Sequence, residues 1–404
     1  MIDWSEEQRL IRDSLRRFVQ TEIEPHRDEL EHGDLAPYDI LRKMYTSFGM
    51  AELAQERYRR ALDPSASSTS DKRRDPTELA AVLLPLVELC RCSPGMVTAL
   101  GVSTNLTPGA IMKSGSREQI ERWVADLVTL RKVGAWALTE PGSGSDAFGG
   151  MKSTAVREGD EYVLNGSKTF ITNGPHADTI VFICKEAGSG QDGSRPRILS
   201  FVLDRGMPGL VQTPPLRKMG MHSSPTGELF VSDVRVGADR LLAGRPDRAK
   251  STSRDGAKGT FASERASIAA MALGIIEKCL EASIEYARTR VQFGHPIGEF
   301  QLIQHKLAQM EIARLNVQNM LFRYIESLST GHGVSLAEAS AMKLYSARAS
   351  VDVAMEAVQI HGGNGYMSEF RVEQLARDAK VLQIYAGTDE IQTIAIAKDL
   401  LRVS

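Results

Sequence analysis

The sequence lacks the features that mark metal enzymes, disulfide-rich secreted proteins and membrane proteins. Only four of its 404 residues are cysteines, and their spacing fits no zinc knuckle and no complementary Cys or His pair. No apolar run approaches the roughly 20 residues of a transmembrane helix. The first residues have neither a basic n-region nor an apolar h-region. We therefore predict a cytoplasmic protein with no metal and no membrane span, whose cysteines are reduced core residues.

The sequence also lacks an excess of charge of either sign, and it lacks the common catalytic motifs. The 49 basic and 51 acidic residues leave a formal charge of −2, so no overall field favours nucleic acid or anionic lipid. The Walker sequence, H-E-x-x-H and the glycine-flanked serine of a nucleophile elbow do not occur. The sequence thus offers no support for a hydrolytic or metal-dependent mechanism, and we expect no nucleic-acid partner.

One glycine-rich segment does match a known pattern. Gly142 to Ala147 reads G-x-G-x-x-A, the fingerprint of a dinucleotide-binding turn, but that fingerprint needs a helix directly after the turn. Here Phe148–Met151 and then a predicted strand follow, which excludes the Rossmann interpretation. Two interpretations stay open with equal weight: a turn whose N–H groups cradle a phosphate, and a plain turn between strands.

Three zones of different periodicity follow one another along the chain. Residues 1–132 are predicted to form a helical domain, with Ser5 as an N-cap and a polar, Ser-rich surface loop from Leu62 to Pro76. Residues 133–243 hold short β-branched runs without intervening helices, which indicate a small barrel or sandwich and not a βαβ sheet. Residues 244–404 carry long apolar stripes at helical spacing, typical of a four-helix bundle. The predicted fold class is α+β, in the order helical, β, helical.

Seven strands are predicted in the middle zone. Gly159-Asp160 and Asn165-Gly166 supply the turn chemistry between some of them. The predicted ranges are Gly134–Leu138, Thr154–Arg157, Tyr162–Leu164, Thr169–Thr172, Thr179–Lys185, Ile198–Leu203 and Glu228–Val236.

Seven further segments carry specific residue patterns. They are Ala137–Asp146, Asn165–Gly174, Lys218–Gly220 with Thr226–Leu229, Tyr286–Gly294 with Gln301, Gln359–Tyr366, Arg377–Lys380 and Ile384–Gln392. Together, over about residues 5–402, they resemble the acyl-CoA dehydrogenase family. Each segment alone is a weak signal, but seven in the family's order make chance similarity negligible. The family's order of a helical domain, a β-domain and a four-helix bundle agrees with the three zones.

The resemblance implies FAD, bound non-covalently across a subunit interface of a homotetramer or sometimes a dimer. It implies an acyl-CoA substrate and an electron-transferring flavoprotein as electron acceptor, as in fatty acid metabolism and β-oxidation. Ser145 and Arg265 match substrate-binding positions. Taken alone, Phe170 would be a core strand residue and Arg290 a surface cation. The positions that match family contacts to FAD are Trp136, Leu138, Thr139, Gly144, Ser145, Phe170, Thr172, Arg290, Phe293, Gln359, Gly362, Gly363, Thr388 and Glu390.

The implied reaction, an α,β-dehydrogenation, needs a carboxylate base for the α-proton and donors that polarise the thioester carbonyl in a dry site. In much of the family the base is a Glu directly before the Gly-Thr of the last signature, where this chain has Ala386. A minority of members, including isovaleryl-type and long-chain-type enzymes, place the Glu before an Arg in a bundle helix, and here Glu264 precedes Arg265. We therefore assign Glu264 as the base, and the Ala386 N–H as a donor to the carbonyl, as a hypothesis. The alternative for Glu264 is an acidic residue near a helix start, stabilised by the helix dipole.

Three alternatives on the same fold stay open. The first is a dehydrogenase of an acyl group attached to a carrier protein, and the second is a flavin monooxygenase. The third is an inactive partner subunit in a mixed oligomer, as Ala386 suggests. Glu264 argues against the monooxygenase because that reaction needs no α-proton base. The basic segment Ala243–Thr260 would meet CoA phosphates or an acidic carrier protein, or would be a solvated loop. By analogy, the base placement favours branched or longer acyl groups.

Overall fold

The computed structural model describes residues 3–62, 75–190, 196–242 and 253–401. Of residues 253–263 it describes only the backbone. Most of the predicted Leu62–Pro76 loop, the side chains of Ala243–Thr260 and the predicted boundary at 243/244 lie outside the described residues. In the described part no helix is long and apolar enough to cross a bilayer. The four cysteines are buried and unbridged, in agreement with their prediction as core residues.

The N-terminal part of the chain folds into helices, as predicted. Ser5 and Ser116 each begin a helix with a capping box, in which the serine hydroxyl accepts from a backbone N–H one turn on and a glutamine side chain accepts from the serine N–H. The helical path from residue 6 changes to π- and 3₁₀-type turns over residues 19–26, around Pro25, which has no N–H to donate. The helices are α1 (Glu6–Phe18), α2 (Arg27–His32), α3 (Tyr38–Ser47), α4 (Met50–Leu62), α5 (Pro76–Cys90), α6 (Pro94–Gly101), α7 (Thr107–Ser114) and α8 (Arg117–Val128).

A curled, seven-stranded sheet forms the middle part. The strands are β1 (Gly134–Ala137), β2 (Thr154–Glu158), β3 (Glu161–Thr172), β4 (Thr179–Glu186), β5 (Ile198–Asp204), β6 (Leu210–Gln212) and β7 (Thr226–Gly237). Neighbours follow the order β1-β4-β2-β3-β7-β6, with β5 also paired to β4. Among the strands that the structure describes, only the pairs of β4 with β1 and with β2 are parallel. Over residues 134–190 and 196–237 no α-helix separates the strands, so the βαβ alternative is excluded as predicted.

The predicted turn at Asn165-Gly166 is wrong. The two predicted strands on either side of it are one continuous strand, β3, which pairs with β7 along its length and shifts register between Leu164 and Gly166. Gly166 has φ +156°, and a Cβ there would stand 2.1 Å from the Ser153 hydroxyl, so this glycine permits a close approach inside a bulge. The Asn165 side chain replaces the interrupted ladder by exchanging hydrogen bonds with Asp233. The turn at Gly159-Asp160 between β2 and β3 is confirmed, and β6 is a strand that the sequence analysis missed.

Long helices return in the C-terminal part and form the predicted bundle. The elements are α9 (Ser253–Thr289), a hairpin of β8 (Val291–Gln292) and β9 (His295–Pro296), α10 (Gln301–Ser329), α11 (Leu336–His361), α12 (Val372–Lys380) and α13 (Asp389–Leu400). The central helix α9 packs against α10 and α11 of the bundle and against α5. One buried apolar cluster contains side chains from the N-terminal helices and from the bundle, so both helical parts share a core.

Asn173 joins the sheet to the N-terminal helices just after β3. It is fully buried with φ +64°, and its Nδ2 donates to the carbonyls of Ala99 and Gly134, each at 2.9 Å. Its Oδ1 accepts from the Tyr38 hydroxyl at 2.9 Å. One side chain therefore satisfies polar groups from three separate segments.

We expect Asn173→Ala to destabilise the protein by about 3 kcal/mol, because the substitution leaves buried carbonyls and a buried hydroxyl without partners. Tyr38→Phe is the matched control: it removes one of the same hydrogen bonds and should cost about 1 kcal/mol. The measurement is the midpoint of urea unfolding. Equal midpoints for the two variants would contradict the conclusion that Asn173 joins the sheet to the N-terminal helices.

Candidate active site

Glu264 lies on α9 and has an unusual carboxyl group. Its side chain is partly exposed, yet burial of the carboxyl raises its pKa to about 7, against the opposing effect of the neighbouring Arg265. The Tyr385 hydroxyl lies within electrostatic reach of Glu264, and Tyr385 is partly exposed as well. A carboxyl group of this kind is half ionised near neutral pH, which suits a general base.

Arg265 connects this part of α9 to the last signature segment. It is buried at 6% exposure, and its Nη1 donates to the Ser340 hydroxyl on α11 at 2.7 Å. Its Nη2 lies 3.8 Å from the point where a Cβ on Gly387 would stand. The structure therefore brings Glu264-Arg265 next to the turn at Ala386, far along the sequence. The predicted contact of Arg265 with CoA stays a prediction.

Ala386 and Gly387 form a turn in the left-handed region, with φ of +52° and +89°. For an alanine this conformation costs about 1 kcal/mol, so the surroundings must hold it. Gln392 Nε2 donates to the carbonyls of Ala386 at 2.9 Å and Gly387 at 2.8 Å, and Lys343 Nζ donates to the Gly387 carbonyl at 2.9 Å. Within the described residues the Ala386 N–H donates to no backbone carbonyl, which leaves it free to polarise a ligand carbonyl.

A buried ion pair joins the first two signature segments. Lys168 on β3 is fully buried, and its Nζ donates to Glu140 Oε1 at 2.8 Å and to the Leu138 carbonyl at 3.0 Å. Glu140 also accepts from the backbone N–H groups of Lys152 and Ser153. Burial lowers the pKa of Lys168, while the hydrogen bond to Glu140 acts in the opposite direction. The pair fixes the end of β1 against β3.

Phe170 is presented to the surface by a bulge in β3. The register with β7 shifts between Lys168 and Ile171, and Phe170 has φ +56° and 69% exposure. The alternative interpretation of Phe170 as a core strand residue is therefore wrong, because the bulge turns its side chain outwards. Thr172 lies two residues on and is partly buried. The Thr169 N–H donates to the Thr139 carbonyl at 2.9 Å, so the bulge lies beside the first signature.

The first signature continues from β1 into an open turn. Leu138 is buried, whereas Trp136 and Thr139 are partly exposed. Gly144 and Ser145 are exposed, and a Cβ on Gly144 would meet no atom within 4 Å. No helix follows this turn, as predicted. Its backbone is accessible, which the interpretation as a phosphate-binding nest requires.

A second group of predicted residues lies on other exposed surfaces of the C-terminal part. Phe293, at the tip of the β8–β9 hairpin, is 92% exposed with φ +53°, and Arg290 before the hairpin is exposed too. Gln359, Gly362 and Gly363 lie at the exposed end of α11, and a Cβ on either glycine would meet no atom within 4 Å. Thr388 is the N-cap of α13, and Glu390 lies exposed in its first turn. Within the described residues no hydrogen bond joins this group to Phe170 or to the first signature.

Three family models match most of the chain. They describe the N-terminal, middle and C-terminal domains of acyl-CoA dehydrogenase, at residues 5–58, 135–234 and 255–401. The chain belongs to the acyl-CoA dehydrogenase family. The members of this family are flavoprotein oxidoreductases.

Relatives of known sequence or structure match over nearly the whole chain. An acyl-CoA dehydrogenase of Bacillus subtilis (strain 168) is 35% identical over 397 residues, which cover 98% of each chain. The structure of butyryl-CoA dehydrogenase from Megasphaera elsdenii matches with a TM-score of 0.84 at 31% identity and covers 100% of both chains. The structure of the prolyl acyl carrier protein oxidase AnaB matches with a TM-score of 0.83 at 29% identity, covering 99% of this chain and 100% of that one.

The residues of this family member fit a flavin nucleotide. An exposed aromatic ring on a bulge, Phe170, stands beside a turn whose glycines leave their backbone open. A planar ring system needs such an aromatic neighbour, and a pyrophosphate needs accessible N–H groups. The exposed Phe293 and the open Gly362-Gly363 backbone add surfaces that a single chain leaves uncovered.

The polar residues that support the site were not predicted from the sequence. Lys168 and Glu140 lie inside signature segments. Their opposite charges, in two segments rich in strand-forming residues, were the feature of the sequence that could have indicated a buried ion pair. Lys343 is a single lysine in an otherwise apolar stretch of α11, and Gln392 closes the last signature. A lone charge at a core-facing helical position indicates a buried partner, but the sequence does not say which residue that partner is.

We expect Lys168→Met to destabilise the protein by about 3 kcal/mol, because it leaves the Glu140 carboxylate buried without its cation. The double variant Lys168→Met/Glu140→Gln should recover part of that loss. Lys185→Met, which removes a partly exposed lysine on β4, is the control and should change stability by less than about 0.5 kcal/mol. Unfolding midpoints in urea measure all three, and a double variant less stable than Lys168→Met would refute the ion-pair explanation.

Proposed function

We propose that the protein is an FAD-dependent dehydrogenase that places a double bond between the α- and β-carbons of an acyl-CoA thioester. Glu264 takes the α-proton, and the Ala386 N–H donates to the thioester carbonyl. FAD, when bound, supplies the acceptor for the β-hydride at its N5 atom. The observation that carries the proposal is the Glu264 carboxyl, with a pKa of about 7. It lies within electrostatic reach of Tyr385, which precedes Ala386, and it is followed by Arg265, which lies beside Gly387.

The raised pKa is the property that the chemistry requires. The α-proton of a thioester is weakly acidic, so a base of ordinary carboxylate strength would remove it poorly. Burial strengthens Glu264 as a base while leaving about half of it ionised at neutral pH. The Ala386 N–H stabilises the negative charge that develops on the carbonyl oxygen as the proton leaves. A merely structural glutamate would gain nothing from this placement.

The cofactor and the assembly follow from the two groups of predicted FAD contacts. Trp136, Leu138, Thr139, Gly144, Ser145, Phe170 and Thr172 form one group. Arg290, Phe293, Gln359, Gly362, Gly363, Thr388 and Glu390 form the other. We propose that a second subunit supplies the second group, in a homotetramer or dimer, because Phe293, at 92% exposure, and the open Gly362-Gly363 backbone lie on surfaces that a single chain leaves uncovered. An electron-transferring flavoprotein is the proposed electron acceptor, and the cytoplasmic location stays a prediction.

A second candidate keeps the chemistry and changes the carrier. The likeness to the prolyl acyl carrier protein oxidase favours an acyl group attached to a carrier protein.

Anaerobic mixing of the flavin-loaded protein with a panel of straight and branched acyl-CoAs, monitored by the flavin absorbance, tests the main proposal. Bleaching by a CoA ester supports it. Bleaching only by carrier-bound acyl groups would support the second candidate, oxygen uptake by the reduced protein would indicate an oxidase or monooxygenase, and no bleaching at all would indicate an inactive subunit.

We expect Glu264→Gln to lower the rate of flavin reduction by about a thousandfold, since the amide cannot accept the α-proton. FAD content should stay at the wild-type level because only the base is lost. Glu285→Gln is the matched control, an exposed glutamate on the same helix, and should react at the wild-type rate. Near-normal reduction by Glu264→Gln would remove Glu264 from the base role.

The value of kcat/KM should fall on the acid side of about pH 7. Glu264 must be ionised to accept the proton, so below its pKa of about 7 the rate should drop about tenfold per pH unit, with a plateau above. Stopped-flow flavin reduction at several pH values with subsaturating substrate measures this pKa in the free protein. A profile that stays flat to about two units below pH 7 would contradict the raised pKa.

A further inference from the structure

The turn at Ala386-Gly387 is held by two buried side chains to which no role has been assigned. Lys343 comes from α11 and Gln392 from α13, and both are fully buried. Gln392 spans the turn by donating to both of its carbonyls, and Lys343 donates to the second of them. The two residues approach from different helices, so they fix the turn between two rigid elements.

Charged side chains of both signs surround the turn. Lys343 lies 3.6 Å from Asp389 Oδ1, beyond hydrogen-bond distance, and Asp389 is shared with Arg348 at 3.0 Å. Arg265, on the opposite helix, brings a second cation to within 3.8 Å of a Cβ position on Gly387. Glu390 also lies within electrostatic reach of Lys343, so cations and carboxylates are both present behind the turn. The Lys343 ammonium is the cation bonded to the turn itself, through the Gly387 carbonyl, and a cation at that position favours negative charge on a ligand oxygen in front of the turn.

The direction of the Ala386 N–H depends on this arrangement. The residue is a non-glycine held at φ +52°, a conformation that relaxes to the right-handed region when its supports are removed. Relaxation would rotate the peptide that carries the N–H away from its present direction. A hydrogen bond to a developing oxyanion weakens steeply with such misalignment.

We propose that Lys343 and Gln392 are positioning residues for the dehydrogenation, which hold the Ala386-Gly387 turn so that the Ala386 N–H and the buried cation behind it stabilise the enolate-like thioester oxygen. This proposal rests on the function proposed above. Neither residue touches the substrate. They act through the turn, and their effect falls on the ionised form of the bound thioester more than on the neutral form.

A β-keto thioester such as acetoacetyl-CoA isolates this effect. Its α-proton is acidic enough to ionise without hydride transfer, and the enolate absorbs in the near ultraviolet. Titration of the complex with the flavin-loaded protein gives the apparent pKa of the bound ligand, and the dissociation constant at low pH gives the affinity for the neutral form. A merely structural role would change flavin content or both affinities together.

We expect Lys343→Met and Gln392→Leu each to raise the apparent pKa of the bound ligand by about one unit, a tenfold loss of enolate stabilisation. Affinity for the neutral ligand and FAD content should stay within about twofold of wild type. The value of kcat should fall by about the same tenfold factor, with KM unchanged. Lys343→Arg, which keeps the cation, should recover part of the shift, and Arg348→Met is the control, since it removes a cation paired with Asp389 that does not reach the turn.

The outcomes separate this proposal from the function on which it rests. Failure of the wild-type protein to bind or ionise the thioester would reject the proposed function. Ionisation by the wild type with an unchanged ligand pKa in Gln392→Leu and Lys343→Met would reject the positioning role alone. Should Lys343→Met fold poorly, Lys343→Gln and Gln392→Leu provide the same comparison, and an unshifted pKa in both would overturn the proposal.

Discussion

Gly274 lets α9 pass so close to α5 that a Cβ there would stand 2.1 Å from the Val87 carbonyl oxygen. Small buried residues such as Ala269 and Ala270 line the same stretch of α9. Close-packed interiors deform little, so this crossing fixes the middle of α9, and the helix continues from there back to Glu264. Glu264 is placed by that packing, and so is Arg265 against Gly387. The carboxyl of the proposed base thus depends on an apolar contact several turns away from it.

Buried polar side chains mark the places where segments distant in sequence meet. Lys168 with Glu140 joins two signature segments, Asn173 joins the sheet to the N-terminal helices, and Asp378 on α12 accepts from the Met221 N–H of the β-domain. Burial of each group would be unfavourable without its partner, so a displaced register leaves an uncompensated charge or carbonyl. Apolar contact brings the domains together, and these polar pairs select one arrangement.

The chemistry of the site separates a side-chain function from a backbone function. A base must be a side chain, so a chain with Ala386 needs its carboxylate from elsewhere, and Glu264 on α9 is the group with a raised pKa next to the turn. The proposed carbonyl donor is a backbone N–H, which every residue except proline carries. Under the proposed function, Ala386 therefore lacks the side-chain function and keeps the backbone one. The proposed supports, Lys343 and Gln392, then matter more than the identity of the residue in the turn.

Local features of the sequence determined much of the fold. Some features act within a few residues, so the elements they form can be predicted from the sequence alone. They are the capping serines at 5 and 116, the helical stripes of the C-terminal part and the turn at Gly159-Asp160. The absence of a helix after Gly142–Ala147 was equally local. The order of the signatures indicated the family and singled out Glu264 once Ala386 was seen.

Only the tertiary structure decided what depends on distant partners. Asn165-Gly166 has the chemistry of a turn, but β7 pairs with β3 on both sides of it and the backbone continues as a bulge. Phe170 is exposed because of a second bulge in the same ladder. Contacts between segments far apart in the chain give Lys168 its partners and bring Lys343 to the Gly387 carbonyl. Burial raises the pKa of Glu264. Sequence specifies which groups are present, and packing decides which of them lose water and meet.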